Sequence, residues 1–309
     1  MSTARDRRRH RGVALITAML ISALAAMVAS DMAWNNALDV RRTTVLLQRD
    51  QAVQVALGAE SWVIDILRQD LQDTETDHLG EIWAQELPGL PIEGGEIFGA
   101  ITDLQGRFNV NNLIDDRGQV DPQSLEQFQR LLAVLELDPA LAERVVDWLD
   151  PNQQPQLANG AEDEIYTSVL PPYRTADRML TSVSELAAID GMDKAAFDAL
   201  APHITALPGR TPINVNTATP AVLQSLGENI TGGDIEALLS EREEAGFPDF
   251  QATFSSLVQP EVLGGLTDVT DYFQLRVVVR IGTVRLTLYS MLKRSPGDVS
   301  SILRSFGTT

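Results

Sequence analysis

Val13 to Ser30 is a run of 18 residues without a charge, closed by Asp31, and it stands right behind an arginine cluster. At about 1.5 Å per residue it makes a helix of ~27 Å, close to the hydrocarbon thickness of a bilayer. Arg5, Arg7, Arg8, Arg9 and Arg11 predict a cytoplasmic N-terminus, with everything after Asp31 on the far side. A removable secretory signal is the competing reading, and Ala23-Leu24-Ala25 offers a small-x-small cleavage site. Two features favour an anchor. The apolar run exceeds most signal cores, and helical character does not stop with it. No proline occurs before Pro88, and Ala52, Ala56, Ala59, Val63, Ile66 and Leu67 recur at three- and four-residue steps. The spacing predicts one helix from Val13 to about Arg68, roughly 85 Å long.

The chain has 309 residues, which makes two structured regions the natural expectation. Its formal charge of −19 is uneven: residues 1–12 hold five arginines against Asp6, or +4, so the rest carries −19 − 4 = −23. An acidic body of this kind repels phosphate backbones and suits divalent cations. His10, His78 and His203 are the three histidines and are far apart, which leaves little for a transition-metal site. Without cysteine there is neither thiol catalysis nor a disulfide.

Leu87 to Gly95 is rich in proline and glycine and ends the helical pattern. Glu96 to Asp103 and Arg107 to Leu113 read as two short strands about Gln105-Gly106. Tyr272 to Ile281 and Val284 to Leu292 form the clearest strand pair. Leu275, Val277, Val279 and Ile281 alternate with Arg276 and Arg280, and Gly282-Thr283 suits a two-residue turn. One antiparallel sheet built from both ends of the chain and packed on the N-terminal helix follows. Between them the pattern is helical: Ser124–Leu137, Ala140–Leu149, a helix opened by the capping box Ser182-Val183-Ser184-Glu185, Asp193–Leu200, Thr219–Leu226, Gly233–Glu244 and Phe250–Leu257.

Arg11-Gly12 before Val13-Ala14-Leu15-Ile16 resembles the cleavage motif of type IV pilins and pseudopilins, where a dedicated peptidase cuts after the glycine. The usual glutamate at the fifth mature position is replaced by Thr17, a departure typical of one branch, the large minor pseudopilins of type II secretion systems. The rest of the chain resembles that branch over essentially its full length. The resemblance is carried by Asp147-Trp148-Leu149-Asp150-Pro151, Gly160-Ala161-Glu162-Asp163, Pro171-Pro172-Tyr173-Arg174 and Asn214-Val215-Asn216-Thr217-Ala218. It implies an α+β pseudopilin fold, a long N-terminal helix packed on an antiparallel sheet, with a large all-α insertion domain. Residues 1–12 would be the leader, 13–30 the membrane part of the helix, 31–117 and 266–309 the pseudopilin domain, and 118–265 the insertion. It further implies processing between Gly12 and Val13 by the prepilin peptidase, methylation, and a single-pass inner-membrane protein with a periplasmic head. Its partners would be other minor pseudopilins at the pseudopilus tip, the major pseudopilin and, through the insertion, secreted proteins.

The loop from Asp150 to Asp177 contains Asp150, Asn152, Glu162, Asp163, Glu164 and Asp177, with no cation before Arg174. Asp150-x-Asn152-x-Gln154 imitates the start of an EF-hand loop, but Pro155 stands where glycine is needed and Ala161 where the bidentate glutamate belongs. The residues alone leave a solvated acidic loop and a metal-ordered one both open. The resemblance implies calcium, with Asp150, Asn152, Glu162, Asp163 and Asp177 as the ligand set. Asp150, Glu162 and Asp163 match the family best.

A competing function rests on a weak repeat, Val183–Ile204 and Ala218–Leu239, similar to helix-hairpin-helix modules that bind nucleic-acid phosphates. Its hairpins are Asp190-Gly191-Met192 and Gly227-Glu228-Asn229. From Arg210 to Val258, however, Arg210 and Arg242 face Glu228, Asp234, Glu236, Glu241, Glu243, Glu244 and Asp249, so no nucleic-acid partner is expected. No glycine elbow surrounds a serine and no phosphate loop occurs, so no catalytic residue is assigned.

Overall fold

A computed structural model describes residues 13–155, 158–242 and 245–307 in full and residues 3–12 by their helical backbone alone. Helix α1 (Thr3–Asp73) dominates it. From Val13 it extends ~90 Å at 1.5 Å per residue, ending just past the expected Arg68. Its first described stretch is exposed all round and is long and apolar enough to cross a membrane. There the Thr17 hydroxyl donates to the Ala14 carbonyl at 3.0 Å, so the side chain folds back on its own helix. Farther along, Ala52, Ala56, Glu60, Val63 and Leu67 are buried at four- and three-residue steps, the stripe anticipated from the spacing with Glu60 added. Gly12 and the rest of residues 1–12, the expected leader, lie outside the fully described residues.

Beyond α1 the chain enters β1 (Leu87–Ile92) and β2 (Gly95–Asp103), then the two-residue strand β3 (Phe108–Asn109). Helices α2 (Pro122–Val134), α3 (Leu141–Leu149), α4 (Asp163–Tyr166) and α5 (Lys194–Leu200) follow. After short strands β4 (Ile204–Thr205) and β5 (Ile213–Asn214) come α6 (Pro220–Ser225), α7 (Gly232–Arg242), α8 (Phe250–Ser255) and α9 (Pro260–Leu263). Strand β6 (Leu266–Thr267) leads to β7 (Tyr272–Ile281), β8 (Val284–Ser295) and β9 (Asp298–Phe306). An antiparallel sheet of order β1-β2-β7-β8-β9 joins both ends of the chain, with Gly95 opposite Ile281 and Asp103 opposite Phe273. The α+β class and the sheet's dual origin are as anticipated.

Four local readings need correction. Arg107 to Leu113 is not a second strand of a hairpin: Phe108-Asn109 pairs in parallel with Ile204-Thr205, and Val110–Leu113 is a 3-10 turn capped by the Asn109 side chain. Leu87 to Ile92 is a strand despite Pro88 and Pro91, because it lies at the sheet edge, where missing N–H groups are tolerated and the register shifts. Asp298–Phe306 adds an edge strand at the other side that the pattern did not suggest. The helix expected over Ser124–Leu137 ends at Val134, and Glu136 adopts a left-handed φ of 58° just beyond it.

Two large apolar cores result among the described residues, with a small third cluster of Leu104, Leu207 and Tyr272. One packs the α1 stripe on Leu275, Val277, Val279, Ile281, Leu288 and Leu292, with Trp83 edge-on to Phe273 at 5.1 Å. The other fills the helical layer from Phe108, stacked on Phe128 at 5.2 Å, through to Leu266. Between them lies a buried polar joint. The Asn214 amide lies 2.9 Å from Asp103 Oδ2, 2.9 Å from Thr270 Oγ1 and 3.1 Å from the Asp77 carbonyl. The Thr217 and Thr270 hydroxyls also donate to Asp103. Arg294 of β8 donates to Asp77 and to Asp70, each at 2.7 Å.

Candidate metal centre

Asp147 and Asp150 sit three residues apart at the end of α3, so the helical repeat puts both on one face. Asp150 is its C-cap, where exposed carbonyls favour a cation. Glu162 is the residue before α4, in extended conformation. These three carboxylates are buried and offer oxygens within 4.8 Å of one another. Both Glu162 oxygens lack a hydrogen-bond partner among the described residues. Its pKa is pushed up to about 8, first by burial and then by the charges of Asp147, Asp150, Asp177 and Asp163. A buried acid repelled by four neighbours is a group short of a cation.

Aromatic contacts hold the loop. Trp148 meets Tyr166 at 5.2 Å and Tyr173 at 6.3 Å, and the Tyr173 hydroxyl donates to the Ala188 carbonyl at 2.8 Å. Asp163 accepts from the Thr175 backbone at 3.0 Å, and its other oxygen pairs with exposed Arg174 at 3.4 Å. The Thr175 hydroxyl lies between Asp163 and Asp177, at 3.1 and 2.6 Å. Asp177 has a left-handed φ of 50° and also accepts from Gln153 at 2.8 Å. Asn152 accepts from the Gln154 backbone at 2.8 Å, while its own N–H bonds to Asp150 at 3.0 Å. Of the sequence candidates, Asp150 and Glu162 thus converge directly and Asp163 and Asp177 form an adjoining pair. The Asn152 amide is engaged in a turn. Asp147 was not among the candidates; its spacing to Asp150 along an amphipathic helix was the available signal.

The donor set is all oxygen, with no histidine or cysteine, which fits a hard cation such as calcium. The helix-hairpin-helix turns have other uses. Arg144 covers the first, donating to the Asp190 carbonyl at 3.1 Å and pairing with its carboxylate at 3.2 Å. At the second, Gly227 packs tightly beneath the Leu257 carbonyl. Arg242 is buried on the Val215 and Ala218 carbonyls, at 3.1 and 2.7 Å, and is not available to a phosphate. Glu243 and Glu244 lie outside the described residues.

Comparison with known proteins is consistent along the whole chain. Family models described as type II secretion system (T2SS), protein K match residues 106–209 and 213–271. Type II secretion system protein K of Pseudomonas aeruginosa is 36% identical, over 97% of this chain and 94% of that protein. Its counterpart from Aeromonas hydrophila is 31% identical, over 96% and 97%. Among solved structures, the GspK-GspI-GspJ complex of the enterotoxigenic Escherichia coli Type 2 Secretion System contains a chain that superposes with a TM-score of 0.77. It is 25% identical and covers 87% of this chain and 100% of that one. The long helix on an antiparallel sheet and the helical layer are therefore those of a known architecture, and the chain belongs to the type II secretion system protein K family, a minor pseudopilin of that machine.

Proposed function

We propose that this minor pseudopilin is anchored in the inner membrane by the first part of α1, with its head in the periplasm, and caps the pseudopilus tip together with other minor pseudopilins. Cleavage after Gly12 by the prepilin peptidase releases the leader, and calcium orders the acidic loop. The observation that carries the tip position is Thr17. In a pilin-type filament a carboxylate at this position of an incoming subunit neutralises the N-terminal amine of the subunit above. In an apolar core an unpaired charge costs several kcal/mol. The Thr17 hydroxyl offers no charge and is turned back on Ala14. A terminal subunit has nothing above it to neutralise, and its own amine still receives a glutamate from below. Size agrees, since a helical layer across 118–265 crowds lateral neighbours but fits at an open end. The similar GspK chain was solved with GspI and GspJ, which supports partners of that class. The major pseudopilin below completes the set, and exported proteins are candidate contacts of the helical layer.

Labels on this chain should appear once per filament, at one end. Labels spread along the shaft would overturn the tip reading. Processing gives an independent check: the mature chain should begin at Val13, and Gly12→Arg should leave it inserted but uncleaved. A mature N-terminus at Ala26 would show instead a removable signal.

A further inference from the structure

A second group of carboxylates lies outside the acidic loop, where α1 ends against the sheet. Asp70 in its last turn, Asp77 and Glu81 offer oxygens within 4.8 Å of one another. Asp77 is 1% and Glu81 7% exposed. Glu81 Oε2 accepts from the Trp83 indole at 2.6 Å and from the His78 backbone at 3.0 Å. Its Oε1 is buried with no partner among the described residues. The charges do not balance. Against three carboxylates stand the Arg294 guanidinium, which bridges Asp77 and Asp70, and the His78 imidazole near Asp70. Asp103 adds its own repulsion to Asp77 from the sheet side. Asp70 is raised above the usual carboxylate range, first by burial and then by the charge of Glu81.

From this geometry we infer a second cation site: Glu81, Asp70 and Asp77 hold one hard, partly hydrated divalent ion of the calcium class. Calcium accepts six to eight oxygens in irregular geometry, so two carboxylates already sharing Arg294 can still contribute, with water completing the shell. The ion would tie the end of α1 to β8 beside the polar joint. This site is independent of the acidic-loop reading.

Trp83 makes the site testable, because an indole bonded to a ligand carboxylate sensitises bound terbium. The probe is Tb³⁺ added to the full chain in detergent, in a Glu162→Gln background that disables the acidic loop. Indole-excited emission should saturate at one ion per chain and be displaced by excess calcium. Glu81→Gln should weaken binding at least tenfold. Trp83→Phe should remove most sensitisation while dialysis still finds one ion bound, a result loss of structure would not give. If Glu81→Gln proves unfolded by circular dichroism, Asp70→Asn takes its place. A folded chain that takes up no terbium, or whose emission is unchanged by these substitutions, overturns the inference. Failure of the acidic-loop reading is separable: wild type would then bind only the Glu81-dependent ion.

Discussion

Chelation of calcium is expected to lower the thermal midpoint of the full chain, and to lower it most at alkaline pH. An ion bound only by the folded state adds RT ln(1 + [L]/Kd), about 2.7 kcal/mol at a hundredfold excess over Kd. The pH dependence follows from Glu162. In the metal-free fold its pKa stands at about 8 against an ordinary 4.5, because burial and four nearby acids favour the protonated form. The folded state therefore holds this proton where the unfolded chain has lost it. Its contribution to stability is full below about pH 4.5 and declines until pH passes about 8. Calcium replaces the proton, so the slope should flatten when the ion is present, and affinity should fall as pH drops. Glu162→Gln should make the chelated chain less sensitive to pH and remove the acidic loop's share of the calcium response. Asp163→Ala tests the adjoining pair in the same way. Identical melts with calcium and with chelator at pH 8, on protein shown metal-free by elemental analysis, would leave the loop as a solvated acidic segment.

Arg294→Met should be the most damaging single substitution outside the apolar cores. The guanidinium is 4% exposed and bonds two carboxylates, Asp77 at 2% and Asp70 at 12%. Removing one partner of a buried ion pair costs about 3–5 kcal/mol, because the remaining charges stay buried without compensation. Surface pairs such as Arg42–Asp39, where both side chains are over 70% exposed, contribute about 0–1 kcal/mol at most. The urea midpoint of the Arg294→Met chain should fall accordingly with its m-value unchanged. A loss under 1 kcal/mol would mean that water reaches Asp77 and Asp70 and that the joint is not sealed.

Periodicity made the long elements legible. The four-residue steps from Ala52 to Leu67 and the alternation from Leu275 to Ile281 each encode one buried face, and both faces meet in one core. Short helices such as Lys194–Leu200 were legible from their caps, but short strands were not, because long-range partners decide them. Phe108-Asn109 is a strand only because Ile204-Thr205 lies beside it, about a hundred residues later. Leu87 to Ile92 reads as a breaker until its place at an edge is known. Asp298–Phe306 hides for a different reason: its buried residue is Val299, while Ile302, Leu303 and Phe306 stay exposed, so no alternation marks it. For the candidate metal centre, motif resemblance points to Asp150 and Glu162, whereas Asp147 reads as one more residue of an amphipathic helix. The Asn214–Ala218 motif was legible as a motif but not in its use. Its first asparagine and its threonine serve the joint at Asp103, far away in sequence.

The pairing of β2 with β7 sets an order of events during synthesis. Asp103 must wait for Phe273, so the sheet cannot form until nearly the whole chain has been made. Closing so long a loop is entropically unfavourable, and the cost is recovered only when the strands pair. By then the Val13–Ser30 segment has long been available to the membrane and the helical layer has its complete sequence, so both can be settled before the sheet closes over α1. The exposed, apolar first part of the helix is thus presented early, while the sheet that packs on its last part arrives late. A translation pause after residue 271 would hold the protein with its sheet unfinished, β2 paired to β1 on one side and open on the other to any strand that competes for the position of β7.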